Sequence, residues 1–165
     1  MRLFVASPVK LDDYTSIRHD FEEVLKAKWV KEENLHLTWA FLGEHLSALP
    51  WLDFLRQLTT LPDAQPLYSL ASFGWPPRIL FARGGGRSLR RKSAELRAIG
   101  FPVGRFRPHV TLCRIKQIHD LRKFNELKKK YEGKILGRIE REISLVESIL
   151  TTDGPSYLKL ESVME

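Results

Sequence analysis

Cys113 is the only cysteine among the 165 residues, so no intrachain disulfide and no multi-cysteine metal site can form. No apolar run approaches the roughly 20 residues that span a bilayer. The opening Met1-Arg2-Leu3-Phe4-Val5-Ala6 is too short for a secretory hydrophobic region, and charge returns at Lys10. These absences point to a water-soluble chain in a reducing compartment, the cytoplasm by default. No H-x-x-x-H, H-x-H or acid-rich cluster is present, so no metal site is expected. Gly84-Gly85-Gly86 lacks the Gly-Lys-Ser/Thr ending of a nucleotide loop and reads as a flexible turn. Acid is scarce in one long stretch. Between Arg78 and Lys116, nine arginines and two lysines stand against Glu95 alone. That local +10 within a chain total of +7 leaves −3 elsewhere and describes a basic face suited to a polyanion.

What is present has ordinary globular proportions, 43% hydrophobic and 28% charged, and the length suits one domain over residues 1–165 or two small lobes sharing a cleft. Arg2 to Ala6 reads as a strand. Asp12 or Asp13 caps a helix expected to run to about Lys28, with Ile17, Phe21, Val24 and Leu25 at helical spacing. Asn34 to Leu42 follows as a strand, then a helix from Ser47. Leu67 to Phe73 and Arg78 to Ala82 form a hairpin around Gly74-Trp75-Pro76-Pro77. A basic helix from Ser88 to Ile99, a strand from Pro108 to Arg114, and a lysine-rich helix from Leu121 to Tyr131 come next. Strands from Arg138 to Thr151 and Ser156 to Val163 close the chain. This interleaving, with prominent antiparallel pairs, predicts an α+β fold.

One short echo recurs 73 residues apart: Asn34-Leu35-His36-Leu37-Thr38 and Arg107-Pro108-His109-Val110-Thr111. Strand side chains alternate between faces. Leu35, Leu37, Trp39 and Phe41 are therefore expected on a core face, with Asn34, His36, Thr38 and Ala40 opposite. In the second segment Pro108, Val110 and Leu112 take the core face, and Arg107, His109, Thr111 and Cys113 the other. A single His-x-Thr means little, but two on polar strand faces make a chemical inventory. Paired imidazoles can hold one neutral base and one charged acid near pH 7. Threonine hydroxyls bind phosphate oxygens, and Arg107 offers a bidentate clamp. Cys113 is expected to be a small packing residue. Arg114 has the wrong parity and needs a bulge to reach the site. His19, His45 and His119 read as solvent-exposed. Phe73, Trp75 and Phe106 are candidates for stacking on a base.

These motifs, with the opening Arg2-Leu3-Phe4-Val5-Ala6, Trp29-Val30, Leu42-Gly43 and the late Ser148-Ile149-Leu150-Thr151 before Gly154-Pro155-Ser156-Tyr157, resemble the two-histidine (2H) phosphoesterases. More narrowly, the chain looks like the RNA 2′,3′-cyclic phosphodiesterases, or 2′-5′ RNA ligase family, along essentially its whole length. The resemblance implies a bilobal α+β fold, with two similar lobes of mainly antiparallel sheet, helices outside and a central groove. It implies metal-independent opening of an RNA-terminal 2′,3′-cyclic phosphate to a 2′-phosphate, with ATP-independent 2′-5′ ligation in some members, and no cofactor. In that pattern His36 is the proton donor, His109 the proton acceptor, and Thr38 and Thr111 hold phosphate oxygens. Arg107 is expected to add a phosphate contact. The implied partner is RNA with cyclic phosphate ends, tRNA fragments included, met by a monomer away from any membrane. Two other readings fit the same residues: a phosphodiesterase for 2′-5′ oligonucleotides or small cyclic nucleotide phosphates, and an RNA end-binding module.

Overall fold

The computed structural model describes residues 1–163. Nine strands pair antiparallel throughout, and four helices pack against them. β1 (Arg2–Leu11) organises the whole. Its first part pairs with β3 (His36–Glu44) on one edge and β8 (Ile143–Thr151) on the other, and β9 (Gly154–Val163) adds to β8. Its end, Val9 to Leu11, pairs instead with β7 (Ile135–Ile139). From β7 a second sheet continues through β4 (Gln65–Phe73), β5 (Ile79–Arg83) and β6 (His109–Ile118) to β2 (Leu25–Trp29). One strand thus belongs to both sheets. Gly137 allows the crossing, because a Cβ there would stand 2.2 Å from the Lys10 carbonyl oxygen.

The helices interlace the two sheets. α1 (Tyr14–Glu22) starts where the Asp13 carboxylate accepts the Ser16 amide at 3.2 Å, an N-cap that satisfies an otherwise orphaned donor. Although α1 follows the strand of the first sheet, it packs behind the second. Tyr14 Oη lies 2.6 Å from the Val30 carbonyl, and Phe21 meets Phe124 of α4 (Leu121–Lys130) edge-on at 5.7 Å. α3 (Arg87–Ile99) follows β5 of the second sheet yet packs toward α2 (Leu49–Leu55), which lies on β8 and β9. The buried Lys92 ammonium donates to the Thr59 carbonyl at 2.8 Å and pairs with Glu95 at 2.6 Å, and Phe101 stacks on Trp51. A single apolar core consequently runs beneath both sheets, from Leu3 and Leu37 to Leu80, Leu112 and Phe124.

Several element boundaries differ from the sequence reading, and β1 runs on to Leu11 where a strand ending at Ala6 is expected. The first helix ends at Glu22, not near Lys28, and Leu25 to Trp29 is a strand edge-paired to β6. Val24 and Leu25 are buried as expected, but Val24 in a turn and Leu25 in a strand; apolar residues at positions 21, 24 and 25 satisfy either geometry until a partner strand decides. The expected strand from Arg138 to Thr151 is two, because the chain leaves β7 and joins β8 around Glu140, whose amide donates to the Pro8 carbonyl at 2.9 Å. The β6 strand begins at His109 and runs on to Ile118. Among the described residues, no helix is long and apolar enough to cross a membrane.

Candidate active site

β3 and β6, from different sheets, pack near one another and carry the two His-x-Thr segments. Each histidine is fixed by one local device. His36 Nδ1 lies 2.7 Å from the Asn34 carbonyl oxygen, and His109 Nδ1 lies 2.7 Å from the Arg107 carbonyl oxygen. A carbonyl can only accept, so Nδ1 must carry the hydrogen in both rings. The neutral form of each then presents a lone pair at Nε2, and the charged form a proton at the same atom. Nε2 is thus the one atom of each ring that can gain or lose a proton. The same backbone conformation at the start of both strands makes the two contacts alike.

The expected alternation holds through Thr38 and Thr111 and then breaks in both strands at equivalent places. Val5 faces Ala40 and Ala6 faces Thr38, which leaves Trp39 as an extra residue. Likewise Leu80 faces Cys113 and Phe81 faces Thr111, which leaves Leu112 extra. A bulge of this kind reverses which face the following residues take. Ala40 is therefore buried and Phe41 is 73% exposed, the opposite of the sequence reading. Cys113 turns into the core, away from the His109 face on which it was expected; burial pushes its thiol up to about 12. Arg114 turns outward onto the His109 side, and its positive charge acts on Tyr157 beside the other histidine. The bulge that Arg114 required is present. Arg107 lies on the loop just before β6, so strand parity does not govern its exposed side chain, and its carbonyl is what meets His109.

The two rings have different surroundings. His36 is flanked by Phe4 and Tyr157, each at 5.2 Å between ring centres, above a small buried cluster of Phe4, Ala6 and Val146. Burial there is the main cause that pushes the His36 pKa below its ordinary value, and the nearby His109 lowers it further. This effect of His109 on His36 accords with the packing of β3 near β6. His109 meets Phe73 at 5.1 Å and Phe81 at 5.5 Å, both edge-on. Its cross-strand partner is Arg83, whose pleat position matches that of Phe81 and places it on the same face. On the far side of Thr111, Arg114 pairs across strands with Lys28. The sequence reading did not single out Phe4, Arg83 or Tyr157 for a role here. Their membership depends on which strands become neighbours, a signal that a linear motif does not contain.

Other singled-out residues are accounted for elsewhere. Phe106 is stacked on Trp39 at 5.3 Å and Phe73 on Phe81 at 4.1 Å, while Trp75 stands 85% exposed on the β4–β5 loop. His19 and His119 are exposed, but His45 is half-buried, with Nε2 2.6 Å from the Leu42 carbonyl and its ring edge-on to Trp51. Among the described residues, no three His, Cys, Asp or Glu side chains gather in a way that could hold an ion.

No family model matches the chain. Individual relatives do match. A protein of Archaeoglobus fulgidus named RNA 2′,3′-cyclic phosphodiesterase is 32% identical, covering 97% of this chain and 98% of that protein. One of the same name from Aeropyrum pernix is 33% identical over 82% of this chain and 85% of its own length. The crystal structure of TT0787 of Thermus thermophilus superposes with a TM-score of 0.77 at 27% identity, covering 99% and 97% of the two chains.

Proposed function

Because the chain belongs to the RNA 2′,3′-cyclic phosphodiesterase family of two-histidine phosphoesterases, we propose that it opens the cyclic phosphate at RNA ends by passing protons through His36 and His109. The observation that carries this reading is the matched pair of Nδ1-to-carbonyl contacts, which leaves Nε2 as the proton-exchanging atom of each ring, on two strands that pack near one another. In the step, a water oxygen bonds to phosphorus as its proton passes to neutral His109. The P–O3′ bond breaks, and charged His36 gives its Nε2 proton to the departing 3′ oxygen. A 2′-phosphate and a 3′-hydroxyl remain. Burial holds His36 toward its neutral form in the free protein. The negative charge of a bound phosphate draws the proton back onto it, so the acid is armed by the substrate.

Thr38 and Thr111 donate to the non-bridging oxygens from the two strands. Arg107 approaches the phosphate from its loop, and Arg114 adds a second guanidinium from the bulge; bidentate charge-assisted contacts of this kind suit a phosphate. If a 5′-hydroxyl replaces water as the nucleophile, the same proton transfers form a 2′-5′ bond without ATP, driven by the strained ring. tRNA fragments ending in a cyclic phosphate, met in the cytoplasm by single copies of the chain, are the physiological substrate class we favour. The test is an oligonucleotide ending in 2′,3′-cyclic phosphate, incubated with EDTA, with the product followed by phosphorus NMR. A 2′-phosphate is expected; a 3′-phosphate, or activity abolished by the chelator, would overturn the mechanism.

A further inference from the structure

The site does not end at the histidines. Pro8 faces His36 across β1 and β3, and pleat parity puts it on the same side as the imidazole. The same Pro8 forms one wall of a cavity of about 590 Å³ that opens beyond the catalytic centre. Lys10, two residues further along β1 and hence about 7 Å away, lines it as well. So does Arg138, which pairs with Lys10 across β1 and β7.

Among the described residues, and leaving Arg141 aside, Lys10, Arg138 and Lys159 of this lining stand against Glu140 and Glu142. Both acids are already engaged: Glu140 by Arg138 at 3.2 Å, and Glu142 by Lys159 and by the Ser144 hydroxyl at 2.9 Å. The Arg141 guanidinium is oriented by the Leu61 carbonyl at 2.9 Å and the Thr60 hydroxyl at 3.3 Å. Lys10 is exposed and, among the described residues, carries no ion pair. Outside the cavity, Arg83 faces His109 across β5 and β6 and adds a cation at the centre itself. The result is a concave surface of net positive charge that begins at the strand partner of a catalytic imidazole.

We infer that this cavity is a second anion subsite, which takes a backbone phosphodiester of the RNA chain upstream of the reacting end. The inference rests on the reading of the histidine pair given above and makes the preferred substrate an oligonucleotide rather than a mononucleotide. A cyclic mononucleotide fills only the catalytic centre. A longer chain adds a phosphodiester held by Lys10 and Arg138, and one charge-assisted contact is enough to raise kcat/KM roughly tenfold or more.

The experiment measures kcat/KM for substrates of one, two and four nucleotides ending in 2′,3′-cyclic phosphate. In the native protein the four-to-one ratio is expected to be roughly tenfold or more. It collapses toward one in Lys10→Gln and in Arg138→Gln, both surface changes, and also in the native protein when an upstream phosphodiester is replaced by a neutral methylphosphonate. A native ratio near one, a ratio unmoved by Lys10→Gln, or indifference to the methylphosphonate would each overturn the subsite while leaving the histidine mechanism standing. A ratio near one combined with protection by inorganic phosphate would assign the cavity to free phosphate instead of RNA. Absence of turnover at every length would remove the underlying reading along with the subsite.

Discussion

His36 sits between Phe4 and Tyr157 over a small apolar cluster, whereas His109 touches Phe73 and Phe81 and has Arg83 as its strand neighbour. The backbone plan around the two is the same: Nδ1 bound to the carbonyl two residues upstream, threonine two residues downstream, then a bulged residue. After the bulge the plan gives different products, an exposed phenyl ring at Phe41 and a guanidinium at Arg114. Duplicated backbone geometry therefore fixes the two rings in the same way, and the neighbouring strands make their surroundings unequal. Both rings touch aromatic side chains, but only the His109 strand presents a cation after its bulge. A reaction that needs one acid, one base and a place for phosphate requires that inequality.

The largest expected effect tests the equivalence. His36→Ala and His109→Ala should each lower kcat on a cyclic-ended oligonucleotide by roughly 10²–10⁴-fold. The double variant should be little worse than the poorer single one, because the pair works as a unit. Losses that multiplied would show two independent sites. Next come the hydroxyls. Thr38→Val and Thr111→Val each remove a hydrogen bond to a charged group, worth about 1.5–3 kcal/mol, so each should cost roughly 10- to 100-fold in kcat/KM. If only one of the two did so, the phosphate would be held by one strand alone.

The two strands should separate at the residues after their bulges. Arg114→Gln is expected to weaken substrate binding strongly and to flatten its salt dependence, since it removes a cation from the phosphate side. Phe41→Ala should leave the salt dependence as it was. A common salt response would erase the distinction between the apolar residue after one bulge and the charged residue after the other.

A smaller effect concerns proton affinity. NMR titration should find the His36 ring titrating below the ordinary histidine range, and Tyr157→Ser should move it upward by admitting water. The smallest effect is on stability. Where the folded-state pKa of His36 lies below its unfolded value, the unfolded chain binds more protons between the two, so stability falls as pH drops through that window. Equilibrium unfolding from pH 7 to pH 5 should accordingly show a shallower loss in His36→Gln than in the native chain.

Much of this was legible beforehand. The α+β class, the helix from Leu121 and the cap at Asp13 follow from local rules, as does the polar-face alignment of His36 with Thr38 and His109 with Thr111. Their determinants lie within a few residues of one another. Ala40, Phe41, Cys113 and Arg114 were placed on the wrong faces because a bulge is defined by two strands at once. The helix expected to continue to Lys28 illustrates the same limit, since β6 supplies the edge that turns Leu25–Trp29 into strand.

The amino-acid order alone determined the chemistry available: two imidazoles, two hydroxyls and a basic stretch. Tertiary structure decided who stands beside them. Phe4 and Tyr157 reach His36, Arg83 and His109 are strand partners, and Pro8 faces His36, only because β1 pairs with β3 and β8 while β5 pairs with β6. The physical reason is range. Periodicity and hydrogen bonding between near neighbours act within a few residues, whereas burial, field and shape at a site are sums over chain segments that meet only in the fold.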